Sequence, residues 1–204
     1  MKTIISIVPM YSKTPAVYAG HPAIANAESV VYPINGVLST SLKKGEEVKV
    51  ILLKAIDPND GEHTADRNEE IFKKELNAIN ERIGAKITYE SVAINFTETR
   101  KEQEKLLKGV VDRLEEGTEV YADITYGPKS MPIIVFYALG FAERFLNVEV
   151  KNIVYGKAYF DADGKAYGHE LVDMTALYYL NAITNQIEVD DAEQARDLLD
   201  QFLS

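Results

Sequence analysis

The segment VYADITYGPKSMPIIVFYALG, residues 120–140, contains the transition that decides the fold. A run of Val, Ala, Ile and Tyr, typical of a buried strand, leads into a loop with Gly, Pro, Lys and Ser, and an almost wholly apolar helix follows. Backbone N–H groups at the start of such a helix, with Lys129 beside them, would hold a phosphate. A well-capped helix with a solvated lysine fits the same residues, so the motif alone leaves both interpretations open.

Four other segments share this strand character, and they are residues 3–9, 48–56, 86–94 and 148–156. They lack the polar alternation of a half-exposed sheet, which is typical of strands covered by helices on both faces. Helical patterns lie between them: apolar residues recur from Phe72 to Ile83 before Gly84, and Thr99 with Glu102 forms a capping box. The alternation predicts an α/β fold, a Rossmann-like, mostly parallel sheet flanked by helices.

Two regions depart from this alternation. Between residues 17 and 42 the pattern is interrupted by Pro22, Pro33 and Gly36, and we expect a long loop with one helix at residues 37–42. After the fifth strand, residues 155–171 are typical of a β-hairpin that turns at Asp163 and Gly164.

Helices are expected to complete the chain. Asp173 is predicted to cap the first of them, and a last, acidic helix is expected over residues 191–203. Its apolar side fits a junction with another domain or a contact between two copies.

The composition narrows the classes of function. The chain has 204 residues, no cysteine and a formal net charge of -10 at pH 7. The absence of cysteine excludes disulfides and thiolate catalysis, and the negative charge argues against binding to duplex nucleic acid. The N-terminal apolar run stops at Pro9, too early for a signal peptide or a membrane span, so we expect a cytoplasmic protein without membrane contact.

No metal or cofactor is predicted. Residues 57–63 resemble the start of a calcium loop, but Asn68 stands where the bidentate glutamate would be needed. The sequence also lacks a P-loop, a GxGxxG fingerprint and a nucleophile elbow.

The two loops expected to matter most follow the first and fourth strands. Ligands of open parallel sheets bind beyond the carboxyl ends of the strands, near the point where the strand order reverses. The first loop, PMYSKTP, covers residues 9–15, and the second, TYGPKSMP, covers residues 125–132. Taken alone, the first loop is more typical of a flexible surface segment. Parallel neighbouring strands would bring both loops to one edge.

Individual residues of the second loop have expected roles. Gly127 would allow close approach of the backbone, Ser130 would cap the following helix, and Asp123 would accept hydrogen bonds that tie the loop. The helix from Met131 to Phe145 is apolar nearly all round, so we expect it to be buried on more than one side, by the sheet or by another subunit.

A wider pattern runs through ADITYGPKSMPIIVFYALGFAERF, VKNIVYGKAYF and HELVDMT. It resembles the CARF domains, the CRISPR-associated Rossmann-fold sensors of type III CRISPR systems. The matching residues are Asp123, Thr125, Gly127, Lys129, Ser130, Pro132, Tyr155 and Gly156. Tyr126 stands where the family usually has a histidine, a difference that bears on ligand size and cleavage.

The resemblance implies a homodimer that binds a cyclic oligoadenylate second messenger across its two-fold axis, with the tetra-adenylate favoured and the hexa-adenylate possible. Lysines and N–H groups would bind phosphates, and tyrosines would stack on adenine. The ligand residues implied are Met10, Tyr11, Ser12, Lys13, Thr14, Thr125, Tyr126, Gly127, Lys129, Ser130 and Met131.

The resemblance also implies the organisation of the chain. Residues 1–172 would form the CARF-like sensor domain, and residues 173–204 the C-terminal helices, as a dimer contact or a junction to an effector. The effector would be a C-terminal domain or a separate protein.

Whether the protein is an enzyme stays open. One alternative is a ring nuclease that cleaves cyclic oligoadenylate without metal, by attack of a 2′-hydroxyl on the adjacent phosphate, with Lys13, Lys129 and Ser12 as its catalytic residues. A further alternative is a Rossmann-like domain that binds another nucleotide or a protein partner.

Overall fold

Strands and helices alternate through the residues that the computed structural model describes, which are 1–20, 29–187, 189 and 191–203. The strands are β1 (Lys2–Ile7), β2 (Glu47–Ile56), β3 (Lys86–Asn95), β4 (Glu119–Asp123), β5 (Glu149–Phe160) and β6 (Ala166–Asp173). The helices are α1 (Pro33–Ser41), α2 (Thr64–Asn80), α3 (Arg100–Val111), α4 (Ser130–Phe145), α5 (Thr175–Gln186) and α6 (Ala192–Leu203).

The six described strands form one sheet in the order β3-β2-β1-β4-β5-β6. All neighbouring strands pair in parallel except β5 and β6, which are antiparallel. The chain builds outward from β1 to β3 on one side and then from β4 to β6 on the other, so the strand order reverses between β1 and β4. The predicted Rossmann-like, mostly parallel sheet is confirmed.

Two apolar layers cover the sheet. On one face, α1 and α2 bury Ile34, Leu38 and Phe72 against the strands. On the other face, α3, α4 and α5 form a second layer, to which Leu106 and Tyr178 belong. Because both faces are covered, the central strands carry the nearly continuous apolar runs seen in the sequence.

The region between β1 and β2 differs from the expectation. Helix α1 begins at Pro33, four residues earlier than predicted, because proline at the first helical position lacks an N–H that would be unpaired there. Pro33 and Gly36 were expected to lie in the loop before the helix, but Pro33 is its first residue and Gly36 lies within it. Pro22 and the rest of residues 21–28 lie outside the described residues.

The predicted hairpin is present and is longer than expected, because β5 itself forms its first arm. Val154 is the last partner of β4, so Tyr155 to Phe160 extend past the end of β4 and pair with β6. At the turn, Asp161 Oδ1 accepts hydrogen bonds from the N–H groups of Asp163 and Lys165, at 3.1 and 2.8 Å. Gly164 has a φ of 75°, which favours glycine.

The two C-terminal helices are placed differently. The N–H of Thr175, the first residue of α5, donates to Asp173 Oδ1 at 2.8 Å, so the predicted cap is made from one position before Met174, the N-cap residue. Tyr178 of α5 is buried in the core, whereas no residue of α6 is buried. The division into a domain of residues 1–172 and helices of residues 173–204 stays a prediction.

Replacing Gly156 by alanine should destabilise the fold. A Cβ atom there would lie 2.7 Å from Pro33 Cγ and 2.8 Å from Tyr18 Cε1. Such overpacking costs about 1–3 kcal/mol of unfolding free energy, which urea denaturation would measure. Gly168→Ala is the matched control in β6, because its nearest contact would be Tyr159 Cδ2 at 3.9 Å. Equal stability of the two variants would contradict the steric argument.

Candidate functional site

Two loops meet at the carboxyl edge of the sheet, where the strand order reverses. The first loop follows β1 and the second follows β4, and between them lies an open pocket of about 300 Å³. The pocket is lined by Pro9, Met10, Tyr11, Lys13, Phe96, Thr125, Tyr126, Gly127 and Pro128. The sequence analysis therefore identified both loops, and it missed Phe96, which follows β3. The only indication of Phe96 in the sequence was its position directly after the third strand, which ends at the same edge of the sheet.

The first loop presents Tyr11 and Lys13 to the pocket. The Tyr11 side chain is 71% exposed, which leaves its ring available for stacking. The Lys13 ammonium lies 5.7 Å from the centre of the Tyr126 ring, so it is held over an aromatic face at the pocket wall. Ser12 and Thr14 are exposed on the same loop but do not line the pocket.

The second loop approaches β1 closely. Gly127 has a φ of 83°, and a Cβ atom there would lie 2.4 Å from Ile7 Cγ2. Only glycine fits this conformation and this distance. The N–H groups of Gly127 and Lys129 form no hydrogen bond with the described residues, and the exposed Lys129 ammonium has no ion-pair partner among them. Two N–H donors and a cation are thus available to an anion at this loop.

Asp123 lies beneath the second loop as a fully buried hydrogen-bond acceptor. Its Oδ1 accepts from the Thr125 N–H at 2.9 Å, and its Oδ2 accepts from the Ile34 N–H at 3.3 Å. Burial raises the pKa of Asp123 to about 6, although the hydrogen bonds from Thr125 and Ile34 act to lower it. The carboxyl ties the loop, as predicted, and it also joins the loop to the start of α1.

Thr125 stabilises the sheet in addition to lining the pocket. Its Oγ1 accepts a hydrogen bond from the Gly156 N–H at 2.8 Å, which joins the end of β4 to β5. The residue lines the pocket, but its hydroxyl oxygen is already engaged.

Tyr126 is directed into the protein. Its hydroxyl donates to the Val31 carbonyl at 2.7 Å, and its ring packs edge-on against Tyr32 with centroids 5.8 Å apart. Burial raises its pKa, and a hydrogen bond with the Tyr18 side chain acts in the same direction. Since one face of the ring is next to Lys13, Tyr126 forms a wall of the pocket and anchors the loop, while Tyr11 has the freely exposed ring.

Two residues of α4 differ from their expected roles. Ser130 is the first helical residue and Lys129 occupies the N-cap position, so the predicted serine cap is wrong. The Ser130 hydroxyl donates instead to Glu98 Oε1 at 2.7 Å. Met131 is fully buried in the core and its N–H donates to the Pro128 carbonyl, so neither its side chain nor its N–H is presented to the pocket. Direct ligand contact by Ser130 stays a prediction.

A half-buried carboxylate, Glu75 of α2, also binds the start of α1. Glu75 accepts hydrogen bonds from the N–H groups of Val31 and Tyr32, at 2.6 and 3.1 Å, and from Asn35 Nδ2 at 2.8 Å. Burial raises its pKa, and these hydrogen bonds act to lower it. Together with Asp123 it satisfies N–H groups that a helix terminus leaves unpaired. No sequence motif indicated this role.

One face of α4 is buried and the opposite face is open. The open side carries an apolar stripe of four large side chains at four-residue intervals, 42–62% exposed: Ile133, Tyr137, Phe141 and Phe145. The helix was expected to be buried on more than one side, and the described residues bury its sheet side but leave these four side chains exposed, so burial by another subunit stays a prediction. A groove of about 810 Å³ separates this helix from α5.

In the part of the chain that the structure describes, no group of three or more His, Asp or Glu side chains could hold a metal ion. None of the helices in this part combines the length and the apolar character that crossing a bilayer requires. The cytoplasmic location stays a prediction.

The fold and the pocket define a class, a Rossmann-like α/β protein with an open pocket at the reversal of strand order. No protein-family model matches the chain. A segment of 51 residues, 25% of this chain, is 35% identical to CRISPR-associated protein MJ1674 of Methanocaldococcus jannaschii and covers 8% of that protein. This match is consistent with the resemblance to CARF domains. Csm6 of Enterococcus italicus, solved with cyclic hexa-2′-fluoro-hexa-dAMP, aligns with a TM-score of 0.45 and 12% identity, over 97% of this chain and 49% of Csm6.

Asp123 should make stability depend on pH. Its pKa is about 6 in the folded protein against 3.8 as the ordinary value, so the carboxyl contributes most below the lower value, and this contribution is lost as pH rises through about 6. The total is roughly 3 kcal/mol. Asparagine cannot titrate, so the stability of the wild type relative to Asp123→Asn should fall as pH rises from about 3.8 through about 6. Urea unfolding of both proteins measures this difference, and a value independent of pH would contradict the assignment.

Proposed function

We propose that the protein is a CARF-type sensor that binds a cyclic oligoadenylate of type III CRISPR signalling. The observation that carries this proposal is the junction of the two loops around one open pocket, with a lysine in its wall and unpaired N–H donors beside it. The protein has a net charge of -10, so an anionic ligand needs local donors of this kind.

The chemistry of the pocket suits a nucleotide with a phosphate. Lys13, Lys129 and the N–H of Gly127 would bind phosphate oxygens, because cations and free N–H groups are its usual partners. Tyr11 and Phe96 would stack on adenine, since their rings are 71% and 37% exposed. Ser12 and Thr14 would contact base edges or 2′-hydroxyls from the first loop.

The size of the pocket supports a ligand shared between two copies. A volume of about 300 Å³ lies at the lower end of the range for small-molecule sites, so it suits one nucleotide unit better than a whole ring. A symmetric ring fits an isologous dimer, in which each copy binds an equivalent part. The apolar stripe of α4 is the surface that we assign to this homodimer, because four large exposed side chains on one helix are best covered by a partner.

A role in CRISPR defence rests on the sequence resemblance and on the 51-residue match to a CRISPR-associated protein. An effector, as a further domain or as a separate protein, would receive the signal. Helix α6 is the proposed contact, because Phe202 and Leu203 are 59% and 57% exposed there.

A ring nuclease is the second candidate, and the position of Lys13 in the pocket wall favours it. The 2′-oxygen of one adenosine would attack the adjacent phosphorus as the bond to the 5′-oxygen breaks, which leaves a 2′,3′-cyclic phosphate and a 5′-hydroxyl. The 2′-hydroxyl proton is lost to solvent and the leaving oxygen gains one. Lys13 and Lys129 would stabilise the charge that develops on the phosphate, with Ser12 positioning it.

Calorimetric titration with cyclic tri-, tetra- and hexa-adenylate should give heat of binding with at least one ring. Lys13→Ala and Lys129→Ala should each weaken binding about tenfold, the usual effect of losing a charged hydrogen bond. Lys86→Ala is the matched control, because this exposed lysine begins β3 at the opposite edge of the sheet. Absence of heat with every ring would refute the sensor. Tighter binding of AMP or ATP than of any ring would favour a site for another nucleotide.

Incubation of the same mixtures of protein and ring without metal tests whether the protein is a ring nuclease. Linear products with a cyclic phosphate end, lost in Lys13→Ala, would support cleavage. Intact ring after prolonged incubation with excess protein would exclude it and leave a binding protein.

The wild type should sediment as a dimer, with or without the ring. Tyr137→Glu places a charge in the centre of the stripe and should produce a monomer that binds the ring more weakly. Tyr167→Glu is the control, since Tyr167 is 70% exposed on the hairpin and lies outside the stripe. A wild type that stays monomeric in sedimentation velocity under both conditions would contradict the dimer.

A further inference from the structure

Asn68 is a buried polar residue that reaches the first loop from α2. Its side chain is 3% exposed, although asparagine is mostly found at the surface. Nδ2 donates to the carbonyl of Pro9 at 2.8 Å and to the carbonyl of Tyr11 at 3.1 Å. Both carbonyls belong to residues that line the pocket.

The chemistry of these two bonds requires an amide. Both partners are carbonyl oxygens, which only accept, so the side chain must supply two N–H donors from one atom. Aspartate has the same shape but would place a carboxylate against both carbonyls. Serine and threonine have one hydroxyl donor and shorter side chains.

The first loop depends on this support. From Met10 to Pro15, no backbone N–H donates to a backbone carbonyl of another described residue. The loop is bounded by Pro9 and Pro15, which have no N–H to donate. The two bonds from Asn68 are therefore the main polar contacts that set the path of the backbone between these prolines.

The same residue is connected to the second loop. The hydroxyl of the fully buried Tyr32 donates to the Asn68 carbonyl at 2.8 Å, and the Tyr32 ring packs edge-on against Tyr126. Asn68 thus binds the first loop, and Tyr32, which donates to the Asn68 carbonyl, contacts Tyr126 of the second loop.

We infer that Asn68 is a positioning residue that holds the first loop in its ligand-binding shape. The inference about the ligand rests on the proposed function, whereas the role in the shape of the loop can be measured in the free protein. A loop ordered in advance binds more tightly because less entropy is lost on binding.

Asn80 offers a matched control on the same helix. Its Nδ2 donates to the Ala85 carbonyl at 2.9 Å and its Oδ1 accepts from the Ala85 N–H at 2.8 Å. Asn80→Ala therefore also removes two hydrogen bonds between α2 and a loop, but near the start of β3, away from the pocket. Asn68→Asp keeps the volume of the side chain and removes both donors, so it tests the bonds without creating a cavity.

The first readout needs no ligand. In Asn68→Ala and Asn68→Asp, tryptic cleavage after Lys13 should be about tenfold faster than in the wild type. Asn80→Ala should leave this rate unchanged while lowering the melting temperature. Equal rates in the Asn68 and Asn80 variants would overturn the inference.

The second readout is affinity for the best-bound ring, measured well below the melting temperature of every variant. The Asn68 variants should bind about tenfold more weakly, and Asn80→Ala should bind as the wild type does. A loosened loop with unchanged affinity would overturn the positioning role. If the wild type binds no ring, the proposed function fails, and the tryptic cleavage rate still decides whether Asn68 holds the loop.

Discussion

Parallel pairing of β1 with β4 is the constraint on which the rest of the structure depends. Ser6 pairs with Asp123, so both strands end at the same level of the sheet and both loops begin there. Because the chain turns outward in opposite directions from these two strands, none of the described helices covers the gap between their ends. The pocket is a consequence of the strand order, and the loop residues determine what it can bind.

Buried polar groups stabilise the floor of this pocket. Asp123, Glu75 and Asn68 each accept or donate hydrogen bonds to backbone groups of another element, at the start of α1 or along the first loop. A buried carboxylate without such partners would be costly, and the raised pKa of Asp123 shows that burial still outweighs them. The site thus has hydrogen-bonded support beneath and exposed side chains such as Tyr11 above.

The groups that could attract an anion to the site are a few residues of the two loops. Against the net charge of -10, Lys13 and Gly127 line the pocket and the exposed Lys129 follows on the second loop, while Glu98 binds Ser130. Cation, aromatic ring and N–H donors in one open pocket suit a small phosphate-containing ligand and give little reason for binding a long polyanion. The exposed stripe on α4 begins at the same helix terminus, which would place a second copy next to the proposed ligand.

The sequence by itself determined the alternation of strands and helices, the parallel sheet and the two loops, because buried strands and capped helices have local patterns of apolar residues, glycine and proline. It also indicated the roles of Gly127 and Asp123, which depend on their own backbone surroundings. The tertiary structure decided what depends on distant partners. Ser130 binds Glu98 rather than capping its helix. Phe96 lines the pocket and Asn68 binds the first loop, both from elements far away in the chain. These contacts follow from the strand order and the packing of α2, and no short pattern encodes them.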